Sequence, residues 1–158
     1  MDMHALGEWI YGTTLSGAMR DYAWAVPLVQ SIHIIAIAVV VGSALVTELR
    51  IAGIVAPDES MSVVAQRYLP WMWRALAVLL VTGLLMIIAE PDRTLTNVPF
   101  WIKMLLVSTA VITSIALRRP LLQPLNESSR GPAKSLAWIL LALWVAVICC
   151  GRFIAYIN

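Results

Sequence analysis

Four long apolar stretches, separated by short polar connections, constrain the fold of this chain more than any other feature. They run from about Ala23 to Thr47, from Pro70 to Ala89, from Pro99 to Leu117 and from Ser135 to Ile157. About 20 helical residues cross the ~30 Å hydrocarbon core of a bilayer, so each stretch is long enough to span it. We therefore predict an all-α membrane protein, built as a bundle of four transmembrane helices.

The composition agrees with a membrane protein. Of the 158 residues, 61% are hydrophobic and 13% are charged, whereas a soluble domain carries about 25% charged residues. An outer surface this apolar needs lipid as its solvent, so the bilayer is the first expected partner. The net charge of +2 is not gathered into a basic run, so no nucleic-acid partner is expected.

Residues 1–22 differ in character from the first span. Asp2, His4 and Glu8 interrupt their apolar pattern, which argues against a signal peptide. Trp9 and Tyr11 are residue types that favour the headgroup region of a bilayer. We predict a short interfacial helix within residues 1–22, followed by one transmembrane domain over residues 23–157.

The basic residues predict an orientation, because loops on the cytoplasmic side carry an excess of lysine and arginine. Seven lie on the side of the first and third loops, and four lie on the side of the second loop and the termini. The seven are Arg50, Arg67, Arg74, Arg118, Arg119, Arg130 and Lys134, and the four are Arg20, Arg93, Lys103 and Arg152. We predict a protein of the bacterial inner membrane with both termini in the periplasm.

Helical periodicity predicts which face of each span lines the bundle interior. At 100° per residue, one face of each span collects the polar or small side chains, which fits a buried face. The predicted faces are Gln30, His33, Val40, Ala44, Thr47 and Glu48 on the first span, and Trp71, Ala75, Leu79, Thr82, Met86 and Glu90 on the second. They are Lys103, Val107, Ala110 and Ser114 on the third span, and Trp138, Val145, Cys149 and Arg152 on the fourth.

Ionisable side chains inside spans are costly and mark a function or a buried partner. His33, Lys103 and Arg152 all fall in the half of the bundle nearer the termini. The sulfur atoms of Met86, Met104 and Cys149 are expected in the same half. Arg74 lies at the other end of its span, where we expect it to pair with Glu48.

Four motifs carry a resemblance to a known group of proteins. They are SIHIIAIAVVVGSALVTELRIAG at residues 31–53, LPWMWRALAVLLVTGLLMIIAEP at 69–91, NVPFWIKMLL at 97–106 and GRFIAY at 151–156. Together they resemble an uncharacterised bacterial family of four-helix inner-membrane proteins. That family is distantly similar in layout to CopD-type copper-resistance proteins and to b-type haem membrane cytochromes. The resemblance implies the fold and topology, and it carries no established activity.

The leading functional hypothesis is a haem b-binding, cytochrome-like subunit that transfers electrons or accompanies a larger complex. A neutral imidazole inside the bilayer suits axial ligation, which predicts His33 as the ligand. Lys103 and Arg152 are predicted to bind the haem propionates, and Gln30 is predicted to lie beside the cofactor. The second ligand is left open between Met86, Met104, a second His33 in a symmetric oligomer, and none.

Two alternatives come from other classes. Copper(I) favours thiolate, thioether and imidazole ligands, which makes His33, Met86, Met104 and Cys149 a candidate copper set. In the other alternative, His33 bonds to Gln30, Ser31 or a backbone carbonyl, and the protein is a homo-oligomer or an accessory subunit of a membrane complex. No nucleophile–base pair or phosphate loop is present, so no independent enzymatic activity is expected. The sequence assigns no role to Cys149 and Cys150.

Overall fold

The computed structural model describes residues 3–121 and 127–154, and it describes side chains for residues 4–92, 94–115 and 131–151. The described chain is helical and contains no strand. Its helices are α1 (Met3–Tyr11), α2 (Thr14–Asp21), α3 (Ala25–Ala52), α4 (Met61–Ala89), α5 (Pro91–Leu95), α6 (Val98–Leu121) and α7 (Glu127–Ile154).

Short polar residues set several of the helix ends. The hydroxyl groups of Thr13 and Ser60 accept hydrogen bonds from backbone N–H groups in the first turns of α2 and α4. These bonds satisfy donors that have no partner within the helix. Helix α3 ends at Gly53, whose φ of 82° lies in the left-handed region, where glycine has no Cβ to clash. The turn that follows brings α4 back against α3.

Four helices are long and apolar enough to cross a membrane, which confirms the predicted fold class and makes this a multi-pass membrane protein. The apolar segments are Ala25–Ala52, Met61–Ala89, Val98–Ile115 and Gly131–Gly151. The N-terminal region is also helical, but it forms the two helices α1 and α2 instead of the single helix predicted.

Two helices begin well before the apolar stretches from which they were predicted. Helix α4 begins at Met61, so Pro70 lies inside it and not at its first turn. Proline removes one backbone donor, which leaves the carbonyl four residues earlier without its helical partner. That residue is Gln66, which is exposed. Helix α7 likewise begins at Glu127 and contains Pro132.

The four long helices pack as a bundle in which α3 is the central neighbour. Helix α3 lies against α4 on one side and α7 on the other, α6 packs on α7, and α4 and α6 meet only briefly. One apolar cluster joins all four helices. Its buried members are Val40, Ala44, Ala65, Leu69, Met72, Ala75, Ala110 and Trp144. Ala65 and Ala110 are 0% exposed, so small side chains allow the helices to approach closely.

The two ends of the bundle differ. We call the end that carries α1, α2 and α5 the capped end, and the end at which residues 53–60 connect α3 and α4 the loop end. Helix α1 packs on α5 and α4, and α2 packs on α4 and α3. Gly7 of α1 is buried so close to the Asp92 side chain of α5 that a Cβ there would collide with it. The N-terminal helices are thus seated on the α3–α4 side of the bundle.

In helix α3, burial decreases from the loop end to the capped end. In α3 every buried residue lies at Ala36 or later, and none of the residues 25–35 is buried. Lys103 of α6 and Gly151 of α7 are also only partly buried. In α3, close packing is therefore concentrated in the loop half, and His33, Lys103 and Gly151 of the capped half remain partly accessible.

The predicted interior faces were right for some helices and wrong for others. The α3 and α6 faces are confirmed at Val40, Ala44, Thr47, Glu48, Ala110 and Ser114, which are buried. Gln30 and Trp71 are exposed, contrary to prediction. The predicted interior face of α7 was wrong, because Trp138, Val145 and Cys149 are exposed. The buried residues of its described part are Ala137, Leu140, Trp144 and Val147. All sides of α7 are apolar, so its sequence gives little contrast between a lipid-facing and a buried side.

The close approach at Ala65 yields a test of the packing. We expect Ala65→Leu to destabilise the bundle by about 1–3 kcal/mol, because the added carbons have no space at the helix contact. Ala77→Leu is the matched control in the same helix, since Ala77 is exposed. Thermal unfolding of the detergent-solubilised protein, followed by circular dichroism, measures the difference. Equal melting temperatures for the two variants would contradict this packing.

Candidate functional site

The capped half of the bundle contains a hydrogen bond between two transmembrane helices. The His33 Nδ1 atom of α3 lies 2.7 Å from Thr82 Oγ1 of α4. Thr82 is buried, and His33 is partly buried. The sequence-based alternative, in which His33 bonds to Gln30, Ser31 or a backbone carbonyl, named the wrong partners. The Ser31 hydroxyl donates instead to the Pro27 carbonyl, at 2.8 Å.

The surroundings of Thr82 favour one tautomer of the neutral imidazole. The Thr82 hydroxyl donates its single proton to the Val78 carbonyl, at an O···O distance of 2.7 Å. Its oxygen is then an acceptor, so the His33 Nδ1–H group donates to it. In the neutral ring the lone pair consequently lies on Nε2. No described residue forms a hydrogen bond with Nε2.

A glycine makes room for the ring. Gly83 follows Thr82 on α4, and a Cβ at this position would lie 3.6 Å from His33 Cε1. The Nδ1–Cε1 edge of the ring therefore runs along Thr82 and Gly83. Because Nε2 is bonded to Cε1, it lies at the end of this edge, past Gly83.

Helices α6 and α7 contribute the other side of the capped half. The Lys103 side chain lies beside Gly151, where a Cβ would be 3.9 Å from Lys103 Cε. The Lys103 ammonium group is close enough to His33 to act on it electrostatically. We call the partly accessible region between these side chains the His33 cleft, defined by His33, Thr82, Gly83 and Lys103.

The other predicted site residues have different positions. Met86 lies one turn beyond Thr82 on α4, and Met104 follows Lys103 on α6; both side chains are partly buried. Gln30 is exposed, so its predicted place beside a cofactor inside the bundle has no support. The side chain of Arg152 lies outside the described side chains.

The cysteine of the candidate copper set does not face this cleft. Cys149 is exposed on α7, as the shifted phase of that helix requires. Among the described residues, no group of three or more histidine, cysteine, aspartate or glutamate side chains is arranged to hold a metal ion.

The predicted ion pair between Arg74 and Glu48 was also wrong. Arg74 is exposed, and its guanidinium lies over the Trp71 ring, 5.6 Å from the ring centroid. Stacking on an aromatic face is a favourable arrangement for an arginine side chain. Glu48 is buried, and its Oε2 atom has no hydrogen-bond partner within the described part of the chain.

A comparison with known families covers nearly the whole chain. The model of a family of unknown function, DUF6644, matches residues 8–157. The chain belongs to DUF6644. No curated protein and no solved structure matches it. Membership confirms the uncharacterised family expected from the sequence motifs, and the matched residues include all four long helices of this DUF6644 protein.

Two parts of the cleft were not assigned a role from the sequence. Thr82 was placed on an interior face, but its bond to His33 was not predicted. Gly83 carried no signal by itself, because glycine is common in transmembrane helices. The pattern that could have predicted this contact is the Thr-Gly pair in an apolar span, because it lies opposite the histidine of the preceding antiparallel span.

The His33–Thr82 bond gives a stability prediction. Thr82→Val keeps the branched shape and removes the hydroxyl group, leaving the His33 Nδ1–H without its acceptor. We expect a loss of about 1–3 kcal/mol, the cost of an unsatisfied buried polar group. Thr109→Val is the matched control, because Thr109 also donates to the carbonyl four residues earlier but is exposed. The melting temperature in detergent should fall for Thr82→Val alone, and an equal fall for both variants would contradict a specific bond.

Proposed function

We propose that this DUF6644 protein is a membrane-embedded haem b-binding protein that serves in electron transfer, alone or as a subunit of a larger complex. His33 is the proposed axial ligand, through its Nε2 atom. The proposal is carried by the 2.7 Å contact between His33 Nδ1 and Thr82 Oγ1, together with donation from the Thr82 hydroxyl to the Val78 carbonyl. This combination favours a proton on Nδ1, which leaves the Nε2 lone pair for coordination.

The arrangement around His33 is the one that a metal-ligating histidine requires. Such a histidine usually donates its other ring N–H to a fixed acceptor, which sets the tautomer and the orientation of the ring. Thr82 performs this role, and its own proton is held by the Val78 carbonyl. The imidazole is therefore oriented before any ligand binds, and less conformational entropy is lost on coordination.

The His33 cleft suits a flat, largely apolar group with two acidic substituents. His33, Gly83 and Lys103 are partly accessible, and Gly151 of α7 lies beside Lys103. Lys103 supplies a positive charge that would pair with a propionate. Arg152, one residue after Gly151 on α7, is proposed for the second propionate. When bound, haem supplies a site for reversible one-electron transfer.

The proposed second ligand is Met86. It lies on the same face of α4 as Thr82, four residues along, which is one helical turn. Met104 is offset around α6 from Lys103, and a second His33 would need a symmetric oligomer. A homo-oligomer or a larger membrane complex stays part of the proposal. The copper alternative is not carried forward, because Cys149 is exposed.

Absorption spectroscopy tests the proposal directly. The protein would be expressed with a haem precursor, purified in mild detergent and titrated with haemin in its oxidised and reduced forms. We expect a Soret band in the wild-type protein and its loss in His33→Ala, because the axial ligand is removed. Gly83→Leu should also abolish binding, since its side chain fills the space beside the ring. Loss of a low-spin spectrum in Met86→Leu, and not in Met104→Leu, would assign the second ligand.

Matched variants separate ligand loss from misfolding. His4→Ala removes the other histidine, which is exposed on α1, and Gly42→Leu adds the same side chain where nothing lies within 4 Å of the Cβ position. Both should retain the wild-type spectrum. The proposal is wrong if the wild-type protein stays colourless after haemin titration, or if His33→Ala binds haemin as the wild type does.

A further inference from the structure

A second polar site lies in the loop half of the bundle, away from the His33 cleft. Glu48 of α3 is 5% exposed, and its Oε2 atom has no hydrogen-bond partner among the described residues. Trp144 of α7 is 3% exposed, and its indole Nε1–H group is also without a partner there. An unsatisfied acceptor and an unsatisfied donor are thus both buried in the same interior.

The helix register brings these two groups to neighbouring levels. Ile51 of α3 packs with Ala137 of α7, and the two helices are antiparallel neighbours. Counting from that contact places Ala44 at the level of Trp144, and Glu48 at the level of Leu140. One helical turn, about 6 Å along the axis, therefore separates the levels of Glu48 and Trp144.

The direction in which helical side chains point shortens the separation between the Glu48 and Trp144 side chains. Side chains lean toward the N terminus of their own helix. Glu48 therefore leans toward the level of Ala44, and Trp144 leans toward the level of Leu140. Because α3 and α7 are antiparallel, the two side chains lean toward each other. Neither atom has a direct partner among the described residues, so the indole N–H would reach the carboxyl group through a water molecule.

No cation of the described chain neutralises Glu48. On α3 itself, Arg50 donates to the backbone carbonyls of Pro57 and Glu59. On α4, Arg67 pairs with Glu59, Tyr68 is partly buried, and Arg74 lies over Trp71. On α7, Lys134 is exposed, with its Nζ close to Gly53. The described part of α6 presents Ser114 at this level, and the side chains of Arg118, Arg119 and Arg130 lie outside the description.

An unpaired carboxylate in this position would be expensive. Transfer of an ion into an apolar interior costs several kcal/mol, and a carboxyl group avoids that cost by taking up a proton. We propose that Glu48 and Trp144 form a proton-binding site inside the bundle, at which the Glu48 carboxyl takes up and releases one proton from the loop end. This inference does not depend on the haem proposal.

The exchange is a simple proton transfer. A hydronium ion gives its proton to Glu48 Oε2; one O–H bond forms at the carboxylate as one breaks in hydronium, and a water molecule leaves. The Trp144 N–H group has no partner among the described residues. In this proposal it donates to the carboxylate through a water molecule once the proton has left, which would favour release of the proton inside an apolar core. Ser114 adds a buried hydroxyl at the same level on α6.

Dicyclohexylcarbodiimide tests the site because it reacts with protonated carboxyl groups in apolar surroundings. The carboxyl O–H adds across one C=N bond; the oxygen bonds to the central carbon and the proton goes to nitrogen. Transfer of the acyl group to nitrogen then gives a stable N-acylurea that keeps all atoms of both molecules. Peptide mass spectrometry of the full-length protein in lipid nanodiscs locates the adduct.

We expect Glu48 to be labelled at neutral pH, where an exposed glutamate is ionised, and the labelling to fall as the pH is raised and the proton is released. Glu48→Gln should lose this adduct, whereas Glu59→Gln, a change in the loop, should keep it. Trp144→Phe removes the N–H donor that favours the ionised carboxylate, so Glu48 should remain labelled up to a higher pH than in the wild-type protein. Trp73→Phe is its matched control, because the Trp73 Nε1 atom is also buried without a partner, and it should leave the profile unchanged.

Three results would overturn the proposal. The first is the absence of a Glu48 adduct at every pH in protein that elutes as a folded species. The second is an identical pH profile for Trp144→Phe and the wild-type protein. The third is protection of Glu48 by sodium ions at constant pH, which would indicate a site for a metal cation and not for a proton.

Discussion

Close packing around small residues in the loop half is the constraint on which the rest of the structure depends. Helices in lipid gain no hydrophobic driving force from one another, so they associate where their surfaces fit. Ala65 and Ala110 provide that fit, and together with Ala44 and Trp144 they join all four long helices in one cluster. With the loop half fixed in this way, the side chains that face each other in the capped half remain partly accessible.

This asymmetry separates two polar sites along one helix. His33 and Glu48 lie on the inner side of α3, about 22 Å apart along the axis at 1.5 Å per residue. Between them lie Val40 and Ala44 of the apolar cluster. His33 has a hydrogen-bond partner and is only partly buried. Glu48 is buried, and its Oε2 atom has no hydrogen-bond partner among the described residues. The first arrangement suits coordination of a bound group, and the second suits uptake of a proton.

The fold could be predicted from the sequence, but the site only in part, because the two depend on different features of the sequence. Apolar length alone specifies four spanning helices, and Thr47 and Glu48 mark the inner face of α3 by their polarity. Helix α7 has no such contrast, so Cys149 was predicted inward although it faces outward. The pairing of His33 with Thr82 depends on the register of α3 against α4, which periodicity within one helix does not contain. Similarly, Arg74 was predicted to pair with Glu48, but its guanidinium lies over the Trp71 ring.

The central claim is that Thr82 holds His33 with its proton on Nδ1 and leaves Nε2 free to coordinate. Nitrogen-15 NMR of the histidine-labelled protein in nanodiscs tests it most directly, because the chain has only two histidines and His4→Gln leaves one signal set. The predicted result is a protonated Nδ1 and an unprotonated Nε2 at neutral pH, with Thr82→Val abolishing the preference. A protonated Nε2, or a doubly protonated ring at the same pH, would contradict the account.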